Sequence, residues 1–244
     1  MKEFWKDWKR KTKLEEQAIK TLKAGKKIIL KNIPKEQIVA IYAKGSFIRR
    51  EMNRKSDVDT VTILKESKYL KKLRKLEKKY RDAYKPQIQF SGYSLWELKH
   101  NKRVELGKKL RASPSRMIRH LDHYNLIYGK QLRKKDFMKE GFEKGHIKGM
   151  VGAFNNIFLP GFEEKKFGFA EIVKQVFWLV ENEQRDLGKN PPHSFKKLAK
   201  SIKDKNHIIH DTLKYRKKKT KDKKLRRAYI NKLKRYLKKL EKTL

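Results

Sequence analysis

Short apolar runs alternate with strongly basic amphipathic segments along this chain, and the two patterns predict different elements. Residues 38–43 and 57–64 are short, largely apolar and rich in β-branched side chains, which is typical of buried strands. A third run of this kind spans 86–94. Apolar side chains at helical spacing predict helices over 2–24, over 66–83 and from Leu95 onward. The order of these elements predicts a small mixed sheet with helices packed against it.

The second half of the chain shows helical periodicity, which predicts helices over 115–128, 142–158, 169–180 and part of 214–244. Pro160 and Gly161 predict a break. The basic segment 99–115 is interpreted as a mobile connection, and 217–221 as a loose stretch. The last helix should be docked, since it keeps an apolar stripe of Leu225, Tyr229, Leu233, Leu237, Leu240 and Leu244. We therefore predict an α+β domain over 1–136 and an all-α helical domain over 137–244.

Candidate chemistry lies between the first two predicted strands, where Gly45-Ser46 is followed by Asp57-Val58-Asp59. Gly45 permits a tight turn, and Ser46 can cap a short helix over 46–53 whose N-terminal N–H groups bind anions. In a strand, Asp57 and Asp59 share one face, and two carboxylates there can ligate hard cations. Solvated loop aspartates are the alternative interpretation of a lone Asp-x-Asp. The ordered string instead indicates a site for a nucleotide and its metal.

The string from Ile41 to Val61 resembles the signature of the DNA polymerase β-type nucleotidyltransferase superfamily. The minimal nucleotidyltransferases and their aminoglycoside-modifying relatives are the most similar members. The resemblance implies transfer of an NMP from an NTP substrate, with Mg²⁺ or Mn²⁺ as cofactor. It implies that the metal ligands and catalytic residues are Asp57 and Asp59, and that the nucleotide is bound by Gly45, Ser46, Arg49 and Ser56.

Two positions depart from the family pattern. Arg50 stands where the family commonly has glycine. The family also has a third carboxylate on a later strand, and the matching position here is Gln89. A glutamine amide can touch a metal but adds no negative charge and accepts no proton. We therefore expect Mg-NTP binding with slow transfer, unless the acceptor or Glu97, the nearest acid downstream, supplies the base.

Composition widens the picture to possible macromolecular partners. The chain holds 68 Lys and Arg against 27 Asp and Glu, a formal net charge of +41. Such a charge suits RNA or another polyanion, bound through phosphate contacts. Basic residues occur in every segment, however, which favours a generally lysine-rich surface as the source of much of the excess. Non-specific nucleic-acid binding at low salt is expected in either case.

The remaining features bear on location and on the second domain. The chain has no long apolar run and no cysteine, so we expect no membrane span, no disulfide and a cytoplasmic protein. A basic amphipathic helix lying on an anionic membrane is an alternative for the C-terminal segment. Oligomeric state leaves no signal in the sequence.

The second half resembles the HEPN-type helical bundles that accompany minimal nucleotidyltransferases, through its long helix and the loop at 190–198. Arg185 and His193 are farther apart than the catalytic pair of the ribonuclease members. His193 is therefore expected to pack in its loop. His207 and His210 lack a matched carboxylate and make a poor metal site. We expect this domain to form one wall of the acceptor cleft.

These observations predict a Mg²⁺-dependent nucleotidyltransferase with RNA, protein or a small molecule as acceptor. Two alternatives stay open. One is a catalytically silent nucleotide- or RNA-binding module on the same fold. The other is a toxin–antitoxin-type regulator that modifies a protein or RNA partner.

Overall fold

The computed structural model describes residues 3–106, 111–137, 145–218 and 220–244. Contacts divide the chain into two compact units, Met1–Glu140 and Gly141–Leu244. The α+β fold class is confirmed, because the first unit holds a four-stranded mixed sheet with helices and the described part of the second is helical. The predicted connection over 99–115, the predicted helix over 142–158 and the stretch 217–221 each include positions outside the described residues.

The first unit is built around the sheet, whose strand order is β3-β2-β1-β4. β1 runs antiparallel to β2 and β4, whereas β2 and β3 are parallel. The strands are β1 (Ile38–Lys44), β2 (Val58–Leu64), β3 (Ile88–Ser94) and β4 (Asn125–Gly129). The helices are α1 (Lys13–Asn32), α2 (Lys68–Tyr80), α3 (Leu95–His100) and α4 (Pro114–Arg119), with single 3₁₀ turns at Lys35–Gln37, Arg81–Ala83, Leu121–His123 and Lys134–Asp136.

Helices α1 and α2 cover one face of this sheet. Leu22 of α1 and Leu73 of α2 belong to the same buried cluster as Val58 of β2 and Ile88 and Phe90 of β3. Successive side chains of a strand point to opposite faces. Asp59 and Gln89, each next to one of these core residues, therefore lie on the face away from α1 and α2.

The predicted helix over 115–128 is wrong in its second half. Helix α4 ends at Arg119, and the chain then forms β4 against β1. Gly129 closes this pairing with φ +84°, and a Cβ there would collide with the backbone of Val39. Partners distant in sequence thus determine that 125–129 is a strand, which local periodicity does not show.

The predicted helix over 2–24 begins too early and ends too early. Helix α1 starts after Thr12, whose hydroxyl accepts a hydrogen bond from Glu15 N while the Glu15 carboxylate accepts one from Thr12 N. This reciprocal capping box sets the start of the helix. The aromatic residues before it lie outside the helix instead, and Phe4 and Trp8 pack edge-on against Phe47. These aromatic side chains therefore pack against the core of the first unit.

The second unit consists of helices around one apolar core. They are α5 (His146–Ala153), a π-helical turn (Phe154–Phe158), α6 (Leu159–Glu163), α7 (Phe169–Asp186), α8 (Phe195–Ser201), α9 (Ile208–Lys217) and α10 (Lys223–Glu241). The predicted break at Pro160-Gly161 is wrong, because both residues lie inside α6. Proline is tolerated in a first helical turn, where its missing N–H would have no partner.

The C-terminal helix is docked, as predicted. Leu233 and Leu237 of α10 are almost fully buried in the core of this unit, with Tyr229 and Leu240 beside them. Leu225 and Leu244, at the two ends of the predicted stripe, are exposed and do not belong to this core. α10 is therefore part of the folded unit and not a separable basic arm.

Buried polar groups join the helices of this unit. Glu181 lies 3.1 Å from Arg185 and 3.6 Å from His193 Nδ1, which supports a packing role for that histidine. Tyr236 of α10 donates a 2.6 Å hydrogen bond to Glu183 of α7. Burial would raise the pKa of Glu183, but hydrogen bonds from His207 and Tyr236 outweigh it and lower the pKa.

Across the described part of the chain, every helix is too short or too polar to cross a membrane.

Candidate functional site

Backbone pairing of three neighbouring strands brings Lys44, Asp59 and Gln89 side by side. Lys44 of β1 is paired with Asp59 of β2, and Asp59 is paired with Gln89 of β3. Directly paired residues project to the same face, so the three side chains form one row. Lys44 Nζ lies 3.2 Å from Asp59 Oδ1, and the two side chains are only 24% and 15% exposed. We call these three residues the polar row.

Gly45 folds directly onto the middle of the polar row. Its φ is +82°, in the left-handed region that favours glycine. A Cβ at this position would lie well inside van der Waals contact with Asp59 Oδ2. One carboxylate oxygen of Asp59 therefore faces the Lys44 ammonium and the other faces the glycine backbone. The tight turn predicted at Gly45 is present, and the close approach to Asp59 explains why no side chain fits there.

The short helix predicted over 46–53 is not formed. Residues 45–50 form consecutive turns, and Glu51 N donates a 2.9 Å hydrogen bond to Ser46 O across them. Arg50 adopts a left-handed conformation with φ +55°, which ends any helical path. Ser46 thus lies in a turn and does not cap a helix. An anion at this turn would meet turn backbone and not a helix terminus.

Arg50 adopts a left-handed backbone conformation, which favours glycine. Contacts of the Arg50 side chain stabilise this conformation. The guanidinium donates hydrogen bonds of 2.8 and 3.1 Å to the Glu15 carboxylate. It also lies 5.0 Å from the centre of the Trp8 ring. The hydrogen bonds from Arg50 lower the pKa of Glu15. This pairing therefore stabilises the fold above the ordinary pKa of glutamate, and its contribution is lost as pH falls through the lowered value.

Arg49 lies in the Gly45 turn, whereas Ser56 and Asp57 lie in the segment between this turn and β2. Arg49 Nε is 3.1 Å from Glu51 Oε2. Ser56 Oγ accepts a 2.9 Å hydrogen bond from Asn53 N and so closes the loop before β2. Asp57 comes one residue before β2, whereas the predicted strand includes it. It directly precedes the strand that carries Asp59, two residues before that carboxylate in the chain.

Gln89 completes the row on β3, and the pairing of β2 with β3 is reinforced by side chains. Thr60 Oγ1 donates a 3.1 Å hydrogen bond to Gln89 O, and Ser91 Oγ donates a 2.6 Å bond to Thr60 O. The position expected for a third carboxylate thus adjoins Asp59 in space, but it carries a neutral amide.

Glu97, the alternative base, is bound elsewhere. It is fully buried, and it forms a capping box with Ser94 at the start of α3. It also accepts a 2.7 Å hydrogen bond from Val104 N and pairs with Arg111. These contacts occupy the Glu97 carboxylate. The structure therefore does not support a role for Glu97 as the catalytic base.

Sequence reasoning missed Lys44 as a site residue. Its position directly before Gly45 is a weak signal, because lysine is common in every segment of this chain. The antiparallel register of β1 and β2 is what places its ammonium on Asp59. A search for cations at the end of the strand before the glycine turn would have included it.

Comparison with known protein families identifies the class to which this site corresponds. Residues 22–112 match the nucleotidyltransferase domain family. The match spans β1, β2, β3 and the Gly45 turn, so it contains the whole polar row. The resemblance to the nucleotidyltransferase superfamily is confirmed for this part of the chain. The HEPN-type resemblance concerns residues outside the match and stays a prediction.

One solved structure shows a likeness in fold that extends beyond this segment. The spectinomycin adenyltransferase AAD(9) from Enterococcus faecialis, solved with ATP and spectinomycin, is 14% identical, with a TM-score of 0.55 over 90% of this chain and 99% of that chain. At this identity the likeness shows a shared fold. A toxin–antitoxin solved with AMP-PNP is 16% identical over 59% of this chain and 98% of that chain, but its TM-score of 0.35 is too low to support a shared fold. No curated protein sequence matches the chain.

The contact between Gly45 and Asp59 leads to a testable prediction. Gly45→Ala should lower the free energy of unfolding by about 1–2 kcal/mol through its left-handed φ, and it should also displace the Asp59 carboxylate. Gly188→Ala is a matched control, since Gly188 has φ +73° and a Cβ added there would meet nothing within 4 Å. In denaturant titrations both variants should lose stability through the left-handed φ, and Gly45→Ala should lose more, because only its Cβ also meets Asp59. Only Gly45→Ala should weaken binding of a fluorescent ATP analogue, by about tenfold or more; equal binding by both variants would contradict this geometry.

Proposed function

We propose that this chain transfers an NMP from an NTP to an acceptor, in a reaction that depends on Mg²⁺ or Mn²⁺. A nucleotidyltransferase domain is present, and the metal, the site residues and the acceptor are what the proposal adds. The observation that supports it best is the approach of the Gly45 turn to Asp59 within the polar row. A backbone turn that can bind phosphates thus lies next to a carboxylate that can bind their metal.

The residues present suit a hard divalent cation. Asp57 and Asp59 supply carboxylate oxygens, which such cations prefer, and Gln89 adds an amide oxygen beside them. Asp59 already pairs with a positive group, the Lys44 ammonium. A bound metal would neutralise charge on the phosphates and orient their oxygens. Asp57 and Asp59 would hold it in place.

The reaction we propose is a displacement at the α-phosphorus of the NTP. An acceptor oxygen forms a bond to that phosphorus, the bond to the bridging oxygen of the β-phosphate breaks, and pyrophosphate leaves. Gly45, Ser46 and Arg49 would hold the leaving phosphates, while Ser56 closes the loop that delivers Asp57. Positioning and charge neutralisation supply most of the rate in reactions of this kind.

The only carboxylate of the polar row is Asp59, which is assigned to the metal. The row therefore has no further carboxylate to accept the proton of the acceptor. Gln89 cannot accept it, and Glu97 is buried in its own contacts. We therefore propose that the proton leaves to water or to a group on the acceptor. Transfer should accordingly be slow with acceptors that carry no basic group.

The carboxylates provide the first test of the proposal. Asp57→Asn and Asp59→Asn should each reduce transfer by about two orders of magnitude or more, because metal binding contributes several kcal/mol to this chemistry. Both variants should fold normally, since asparagine keeps the size and one oxygen. The assay follows label from α-³²P-NTPs into RNA, protein and small molecules of a cell extract. Asp82→Asn, at an exposed acid of the same unit, is the control; wild-type transfer by the double variant would refute the mechanism.

Gln89 favours a second candidate function, a silent nucleotide-binding module. Gln89→Glu restores a carboxylate next to Asp59 at nearly the same size. If the natural chain is a weakened enzyme, transfer should rise by about tenfold or more while ATP-analogue binding changes little. If the natural chain is silent, the variant should show transfer where the wild type has none. Robust wild-type transfer that Gln89→Glu leaves unchanged would show that the base lies elsewhere.

RNA remains a proposed partner, and the position of α10 changes how it should be tested. Deleting this helix would remove part of the core, so exposed charges must be replaced instead. Lys224, Arg227 and Lys238 are exposed on α10. If they contact RNA, changing all three to glutamine should reduce the slope of log affinity against log salt by up to about 2, at ~0.7 per phosphate contact.

Three exposed lysines of α2 provide the matched control for this charge change: Lys71, Lys75 and Lys78. An RNA-binding α10 predicts a smaller slope only for the α10 variant. Equal losses for both triple variants, with equal affinity for RNA and heparin, would indicate a generally lysine-rich surface instead. A toxin–antitoxin role and a cytoplasmic location stay predictions.

A further inference from the structure

Lys44 has a place in the polar row that its residue type alone does not explain. The row contains one ammonium, one carboxylate and one amide. A second carboxylate, Asp57, lies two residues before Asp59 in the chain. The Lys44 ammonium lies on Asp59 Oδ1, the oxygen that the glycine turn does not face. One of the two potential metal-binding oxygens of Asp59 therefore already has a cation beside it.

The ligands in this site are unfavourable for a second divalent cation. Sites for phosphoryl displacement can hold two metals, each bound by oxygen ligands. Here the Lys44 ammonium already lies beside Asp59 Oδ1, and the paired position on β3 carries the neutral amide of Gln89. A second cation would therefore compete with Lys44 and would lack a carboxylate at position 89. These ligands favour a single metal, which leaves the positive charge of a second one to be supplied by another group.

Lysine is suited to supply the remaining positive charge. Its ammonium is a compact point charge on a flexible stem, so it can move from Asp59 to a nearby phosphate oxygen. The Lys44 side chain is three-quarters buried at the end of β1, next to the glycine turn. Its charge is therefore less screened than that of a fully exposed lysine.

We propose that Lys44 replaces the second metal of this site. The chain binds one divalent cation through Asp57 and Asp59, and the Lys44 ammonium is the second positive charge that faces the nucleotide. This inference rests on the proposed function and deepens it. Lys44 and Gln89 are the two residues that limit the site to one metal.

Metal stoichiometry tests this inference without reference to turnover. The full chain, loaded with a non-hydrolysable ATP analogue, is titrated with Mn²⁺ while the EPR signal of unbound Mn²⁺ is recorded. The wild type should bind one Mn²⁺ per chain. The double variant Lys44→Met with Gln89→Glu should bind two, because it removes the resident cation and adds a carboxylate. Lys44→Arg should retain one, because it retains the charge.

A second readout uses the chain without nucleotide. Lys44→Met should raise the Mn²⁺ affinity of the aspartate pair by about tenfold, or about 1.4 kcal/mol, because a competing cation is removed. Lys65→Met is the charge-matched control, since Lys65 follows β2 at the end opposite Asp59. It should leave Mn²⁺ affinity unchanged. Thermal unfolding of each variant confirms that it is folded.

The outcomes separate this inference from the proposed function. Two Mn²⁺ on the wild type, together with nucleotidyl transfer, would overturn the role of Lys44 and leave the proposed function standing. A double variant that still binds one Mn²⁺ would also overturn it. Absence of any Mn²⁺ or ATP-analogue binding by the wild type would contradict both.

Discussion

The close approach of Gly45 to Asp59 is the constraint on which the rest of the site depends. Backbone pairing between β1 and β2 sets Lys44 opposite Asp59, and the next residue must then turn over the carboxylate. Only glycine allows this with a left-handed backbone and no Cβ. The parallel pairing of β2 with β3 adds Gln89 to the same row. The hydrogen-bonded pairing of these three strands thus places the Lys44 charge, the Gly45 turn and the proposed metal ligand Asp59 next to one another.

Residues far from the site in sequence hold the turn in place. Phe47 is fully buried against Phe4 and Trp8. Arg50 reaches the Glu15 carboxylate, which at the same time caps α1. The cost of a left-handed arginine is offset by these contacts. Arg50, at a position where the family commonly has glycine, thus links the glycine turn to the first helix.

Local patterns in the sequence are sufficient for the strands of the site and insufficient for the elements around it. The β-branched runs predict β1, β2 and β3, and the leucine spacing predicts α2, because burial imposes those periods. Periodicity predicts a helix where β4 forms, since the strand character of 125–129 depends on pairing with β1. The helix predicted over 46–53 is absent because the left-handed Arg50 is stabilised by Glu15, a partner that no local window contains. Lys44 escapes sequence reasoning for a similar reason, since its role follows from register.

A crystal structure with Mn²⁺ and a non-hydrolysable ATP analogue would test the central claim most directly. The account predicts an anomalous manganese peak bound by Asp57 and Asp59, with the phosphates along the Gly45-Ser46 turn. The Lys44 ammonium should then face a phosphate oxygen as well as Asp59. Manganese or nucleotide bound elsewhere on the chain, with the Asp57 and Asp59 carboxylates making no contact to either, would contradict it.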